Sequence, residues 1–377
     1  MKATSVIFVS SAILLTVAVV APAVEVAPLL DRLKEVGPRA QGAPPAAEAW
    51  AALSKADVDR IPEILAGLSD ANVIAANWIL TAVDAIVDRA DAEGTPLPSE
   101  ELESFVLDRS MNPKGRRVAY ELLLRADPQA EERLVSGFLD DPSVELRRDA
   151  VALLIAEAEE LDRSGNERRA IELYEKAFDA SRDRDQIESI ASILKKRDRE
   201  PNLSSHFGFV LDWRVIGPFD NTDETGFDVV YPPEKALDAS AEYEGKHGKV
   251  AWKDYLVPDP MGTLDFNKAL QEEKFVFGYA WAEFESNAAR EAQIRIASFN
   301  ALKVWLNGEL IDEHDVYHGG SEFDQYVVPV RLKKGINTIL VKCGQNNQPQ
   351  DWAKMWRFTL RVCDETGGGL VPAAKTE

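Results

Sequence analysis

Two hydrophobic periods divide this chain, and no single layer of structure accommodates both. Up to about Lys196 apolar residues recur every three to four positions, as in Ile171, Tyr174 and Phe178 or Ile187, Ile190 and Leu194, which is the spacing of one helix face. Beyond Arg199-Glu200-Pro201 the period drops to two. Ala292, Ile294 and Ile296 alternate, as do Tyr326, Val328, Val330 and Leu332, and again Trp356, Phe358, Leu360 and Val362. Pro201 disfavours helix at the residue before it and so marks the boundary. The expectation is a two-domain α-then-β chain: helices over 46–200 and an antiparallel β-sandwich over 201–366. A length of 377 residues suits two domains. Residues 217–272, dense in Gly, Pro and Asp, read as an irregular insert, 24–45 as a flexible linker and 367–377 as a disordered tail.

The first 23 residues read as a secretory signal peptide. Lys2 gives a positive start, Val6 to Val20 an apolar run, and Ala21-Pro22-Ala23 a small-residue cleavage site. The expected location is therefore periplasmic or extracellular, with no membrane span left after cleavage. A formal charge of -21 repels a phosphate backbone, which argues against nucleic acid as a partner and favours neutral or cationic ones.

In the helical half, "LSDANVIAANWIL", "NPKGRRVAYELLL" and "DDPSVELRRDAVALL" each place a turn before a helix, with Arg116-Arg117 and Arg147-Arg148 at matching positions. The last of these resembles a HEAT repeat, and "NERRAIELYEKAFDAS" resembles half of a tetratricopeptide unit. The resemblance implies a short HEAT/TPR-like α-solenoid that offers a surface to a protein or peptide.

In "KVWLNGELIDEHDVYHGG" the Asn307-Gly308 pair suits a two-residue hairpin turn, because both central positions need positive φ. Counting outward sets Trp305 against Leu310, Val304 against Ile311 and Lys303 against Asp312. Trp305 and Leu310 then share an outer face, expected to be covered by Pro232–Leu270 or by the solenoid. The run from "FVFGYAWAEFES" through "KVWLNGELI" and "VRLKKGINTILVKC" to "MWRFTLRV" resembles the galactose-binding-like jelly roll of large β-galactosidases. With the helical half and "DWRVIGPFDNTDETGFDVVYPPE", the arrangement resembles secreted bacterial HEAT-repeat-type proteins. Such jelly rolls imply fold more than ligand.

Strand alternation sends Asn300, His314, Tyr317, His318, Gln345, Asn346, Asn347, Gln350, Asp351 and Trp352 to one end of the sandwich, where amides and imidazoles surround aromatic rings. That end is the expected ligand site, for a glycan. Asp220, Asp223 and Asp228 are candidate Ca²⁺ ligands, although their spacing lacks the order of a known calcium loop; no other cofactor is expected. None of the common catalytic signatures occurs, so the chain is expected not to be an enzyme. "NTILVKC" and "WRFTLRVC" read as a hairpin with Cys343 and Cys363 far apart, hence two free thiols. Two functions remain open: an exported binding scaffold using the solenoid surface, which the extended surface of a solenoid favours, and a carbohydrate-binding protein using the loop end of the jelly roll.

Overall fold

The computed structural model describes residues 24–348 and 350–373, with Trp352 described in its backbone alone. The signal-peptide assignment lies outside these residues. The chain forms two compact units, up to Leu134 and from Val135 onward.

The first unit is helical: α1 (Val26–Lys34), α2 (Ala43–Leu53), α3 (Ile61–Ala66), α4 (Val73–Glu93), α5 (Ser99–Leu107), α6 (Pro113–Ala126) and α7 (Ala130–Leu134). The linker expected at 24–45 is instead α1 and the start of α2, because Val26, Leu30 and Leu33 fall on one helical face and are buried. Helix starts are fixed by side-chain caps. Asn72 accepts from the Ile74 and Ala75 amides, and Asn112 from those of Lys114 and Gly115. The arginine that opens each matched pair is buried and donates to the backbone: Arg116 Nε to the Val106 carbonyl at 2.8 Å, and Arg147 Nε to that of Asp141 at 2.9 Å.

The second unit begins with α8 (Val144–Arg163), α9 (Glu167–Ala180), α10 (Arg184–Lys195) and α11 (Leu203–Phe207). Sequence put the domain boundary at Pro201. Helix does give way to strand there, but α8–α11 belong to the same compact unit as the strands. Their apolar faces require a partner. Tyr174, Phe178, Ile187, Ile190 and Phe207 form a core against which Phe209, Met261 and Phe323 of the strand-bearing half pack.

The strands are β1 (Asp212–Asp220), β2 (Glu242–Gly245), β3 (Gly248–Ala251), β4 (Lys253–Leu256), β5 (Thr263–Asp265), β6 (Val276–Ser286), β7 (Arg290–Ser298), β8 (Leu302–Leu306), β9 (Glu309–His314), β10 (Tyr326–Leu332), β11 (Gly335–Gln345) and β12 (Arg357–Cys363), with short helices α12 (Pro232–Lys235) and α13 (Phe266–Ala269). They build a six-stranded antiparallel sheet, β4-β1-β6-β11-β8-β9, a four-stranded one, β10-β7-β12-β5, and the separate β2-β3 pair. Trp213, Ile294, Ile296, Val304, Val341, Trp356, Phe358 and Val362 join the faces of both large sheets in one core. The insert expected to be irregular supplies β4 and β5, one to each large sheet. The tail is ordered to Ala373, with Gly369 donating to the His206 carbonyl and Leu370 to that of Val362; residues 374–377 lie outside the description.

The Asn-Gly turn forms with Asn307 and Gly308 at φ 54° and 86°. Leu306 faces Glu309 and Trp305 faces Leu310 as counted, but a bulge then pairs Val304 with Asp312 and Lys303 with Glu313. The expected Lys303–Asp312 pair is therefore replaced by Lys303 with Glu313 and Asp228, both at 2.9 Å.

Cys343 and Cys363 are both free and buried, on β11 and β12 of different sheets rather than on one hairpin. Burial pushes their thiols up to about 12 and about 11 respectively. The folded protein is expected to resist a thiol reagent at pH 8 and the unfolded, unreduced protein to titrate two thiols. Rapid labelling of either cysteine in the folded state contradicts this.

Candidate functional site

The residues expected at the loop end are placed as follows. His318 Nε2 lies 2.8 Å from Asn346 Oδ1, Asn300 Nδ2 3.4 Å from Gln345 Oε1, and Tyr317 Oη accepts from Asn221 Nδ2 at 2.8 Å. Gln345 Nε2 donates to the Ala353 and Met355 carbonyls, and Asn300 Oδ1 accepts from the Arg357 amide. Asn221, Asn300, Gln345 and Asn346 are buried. Buried amides must be satisfied, and here the strand ends and loops satisfy one another. Burial drives the Tyr317 phenol well above its ordinary range. His314 stands apart, stacked on Tyr326 at 3.5 Å with Nε2 against Asp312. Asn347 is exposed, and Trp352 lies in the short helical turn Asp351–Lys354.

The three candidate calcium ligands are not gathered. Asp220 accepts from Thr222 and pairs with Lys246 at 3.5 Å, Asp228 pairs with Lys303, and Asp223 is exposed. Nearby cations and a hydroxyl take the oxygens that a metal would need. Among the described residues no three His, Cys, Asp or Glu side chains form a set able to hold a metal ion.

The outer face of the six-stranded sheet carries the more informative chemistry. Register aligns Arg214, Trp281, Leu340, Trp305 and Leu310 in one row across β1, β6, β11, β8 and β9. Arg214 lies over the Trp281 ring at 4.7 Å, and Trp252 meets Trp281 edge-on. In the neighbouring row Tyr279, Lys342 and Lys303 stand side by side. The insert covers this face with Tyr231, Leu237, Tyr243 and Trp252, leaving Trp305 half-buried and Leu310 43% exposed.

Beneath the insert Lys342 is fully buried. Its Nζ donates to the carbonyls of Gly226, Phe227 and Val229 at 3.1, 2.7 and 2.8 Å and reaches Glu234 Oε1 at 3.1 Å, with the Phe277 ring 4.7 Å away. Desolvation holds this ammonium below the usual lysine range, opposed by Glu234. The same Glu234 oxygen accepts from the Tyr279 hydroxyl and, at 3.3 Å, from the Tyr231 amide. Three donors converge on Oε1, and no described group bonds to Oε2.

Glu234 also lines a cavity of about 250 Å³ between α12 and the sheet, walled by Trp305, Leu340, Leu237, Lys235 and Thr338. Its side chain is 9% exposed. The arrangement joins an aromatic face, a carboxylate oxygen without a bonded donor, a hydroxyl and an ammonium. From sequence, the Asn-Gly register correctly sets Trp305 on the outer face. Glu234 carried no signal, because it arrives from the insert.

No protein-family model matches the chain, and no curated protein matches it. Among solved structures, a family 35 carbohydrate binding module from an environmental isolate is similar at 19% identity, over 45% of this chain and 93% of its own, with a TM-score of 0.21. A family 35 module from Clostridium thermocellum is similar at 12% identity over 23% and 71%, TM-score 0.18. A beta-glucosidase from Kluyveromyces marxianus is similar at 12% identity over 40% of this chain, TM-score 0.26, and this chain spans only 16% of its length.

Proposed function

We propose that this chain is a non-catalytic carbohydrate-binding protein that seats a single neutral sugar residue in the cavity beside Trp305. The observation that carries the reading is the juxtaposition of the Trp305 ring with the Glu234 carboxylate in a cavity of about 250 Å³. A pyranose presents an apolar C–H face and a rim of hydroxyls, and an indole with a charged acceptor complements both. Glu234 Oε2 takes a sugar hydroxyl, Thr338 and Lys235 offer further polar contacts, and Trp305 with Leu340 supplies the apolar wall. The strongly negative net charge fits a neutral ligand. Glu234 is the one carboxylate among the lining residues, whereas glycoside hydrolysis in its common form requires two; this supports binding without chemistry.

The finer fold assignments belong to the same proposal: a galactose-binding-like jelly roll for the sandwich and HEAT/TPR-type repeats for the helices. The matched caps and buried arginines support repetition, but they serve the helices' own backbone and point to no partner. For that reason the sugar reading is preferred over a peptide-holding solenoid. Export remains part of the proposal and rests on the amino-terminal sequence.

A glycan array probed with the full chain is expected to show selective binding. Trp305→Ala is expected to abolish it, and Glu234→Gln to weaken it at least tenfold, about 1.4 kcal/mol. Near-ultraviolet circular dichroism establishes that each variant is folded. An array without signal, or folded Trp305→Ala binding like the parent, overturns the assignment.

A further inference from the structure

A larger cavity, of about 670 Å³, opens in the second unit between α9, the end of α10, the 199–202 connector and α11. Its floor is made by Phe178, Leu194, Arg182 and His206; its rim carries Glu175, Asp179, Arg199 and Glu200, all exposed. Arg182 is half-buried. Its Nη1 holds the carbonyls of Asp179, Ala180 and Ser181 at 3.1, 3.3 and 2.8 Å, and its Nε lies 3.3 Å from Thr366 Oγ1. No carboxylate lies within 4.0 Å of its guanidinium among the described residues. Asp364 and Asp179 attract it from farther away; Asp364 accepts from the Thr366 hydroxyl and the Thr366 and Gly368 amides on Oδ1 alone. Buried Arg147 feels the Arg182 charge, together with the opposite charges of Asp364, Asp140 and Asp141. With no carboxylate in direct contact, this half-buried cation accommodates an anion from solution.

The rim narrows the choice of anion. Three carboxylates face one arginine there, and Arg199 is already paired with Glu175 at 3.3 Å. Polyanions and phosphate dianions meet repulsion at such an entrance. A ligand with a carboxylate at one end and an ammonium at the other matches both the floor and the rim. His206 adds an acceptor suited to a peptide N–H. Its Nε2 lies 3.2 Å from the Ser181 carbonyl and therefore carries the proton, and its ring lies tilted against Phe178 at 4.2 Å, leaving Nδ1 as an acceptor.

We infer that this cavity is a second binding site, for a short zwitterionic peptide, whose terminal carboxylate pairs with Arg182 and whose ammonium meets the Glu175, Asp179 and Glu200 rim. The site is separate from the Trp305 cavity, and its fate does not depend on the sugar reading.

Calorimetric titration of the full chain with L-phenylalanyl-L-alanine and L-alanyl-L-alanine tests the inference, each supplied free, as the carboxyl-terminal amide and as the amino-terminal acetyl derivative. At least one free dipeptide is expected to bind, its amide at least tenfold more weakly and its acetyl derivative at least threefold more weakly. Arg182→Gln, confirmed as folded, is expected to lose the distinction between free dipeptide and amide. Because the blocked ligands report on the unaltered protein, the test survives even where that variant does not fold. Absence of binding by both free dipeptides, equal binding of blocked and free forms, or equally tight binding of inorganic phosphate overturns the inference.

Discussion

Replacing Lys342 by methionine is expected to destabilise the second unit by about 3–5 kcal/mol, the usual scale for breaking a buried, hydrogen-bonded charge pair. Methionine keeps most of the volume, so the loss reports chemistry rather than a cavity. Three carbonyls lose the donor they hold on a fully buried ammonium, at about 1–3 kcal/mol for each group left unsatisfied, and Glu234 loses its counter-charge. Adding Glu234→Gln to Lys342→Met is expected to recover part of the loss, since the stranded charge is then gone. Urea unfolding followed by tryptophan fluorescence measures both variants. A Lys342→Met protein as stable as the parent shows that the loop carbonyls find other donors and that Lys342 does not hold the insert to the sheet.

Gly208→Ala is expected to cost about 2–5 kcal/mol, well above a matched control. Gly208 sits at φ +76°, and an added Cβ meets the Val362 carbonyl at 2.4 Å and Gly369 Cα at 2.6 Å. The left-handed conformation costs a non-glycine residue about 1–2 kcal/mol, and forcing backbone apart in a packed site about 1–3 more. Gly94, at φ +69°, has nothing within 4 Å of such a Cβ. Gly94→Ala therefore isolates the conformational part, and the excess at Gly208 measures how closely three backbone segments meet there. Equal losses in thermal unfolding refute the close-approach argument.

Local rules made much of the architecture legible. Alternation located the strands around Ile294, Val328 and Phe358, and Asn307-Gly308 set both the turn and the outward face of Trp305. Where the reading failed, the deciding contact was distant in sequence. The bulge that moves Asp312 away from Lys303 is a sheet-level feature that no residue count foretells. Gln345 and Asn300 have the composition of a sugar site, yet the loops they join require those amides. The connector at Pro201 ends the helical period as read, but periodicity does not say which neighbour a helix face will choose. Here α8–α11 choose Phe209, Met261 and Phe323. Glu234 was invisible because its importance comes from Lys342 and Tyr279, both more than forty positions downstream.

The joint around Gly208 also orders events during synthesis. Arg361 Nη1 donates to the Phe207 carbonyl 154 residues earlier in the chain, and Gly369 closes onto His206 beside it. Helices α8–α11 therefore leave the ribosome long before their partners exist. At roughly 5–20 residues per second the gap is on the order of ten to thirty seconds. During that interval Phe207 and Phe209 have their helical neighbours but not Phe323 or Arg361, and contacts of such long range close slowly. The second unit thus completes its fold only once translation has passed Gly369, and until then it offers holding chaperones an aromatic patch.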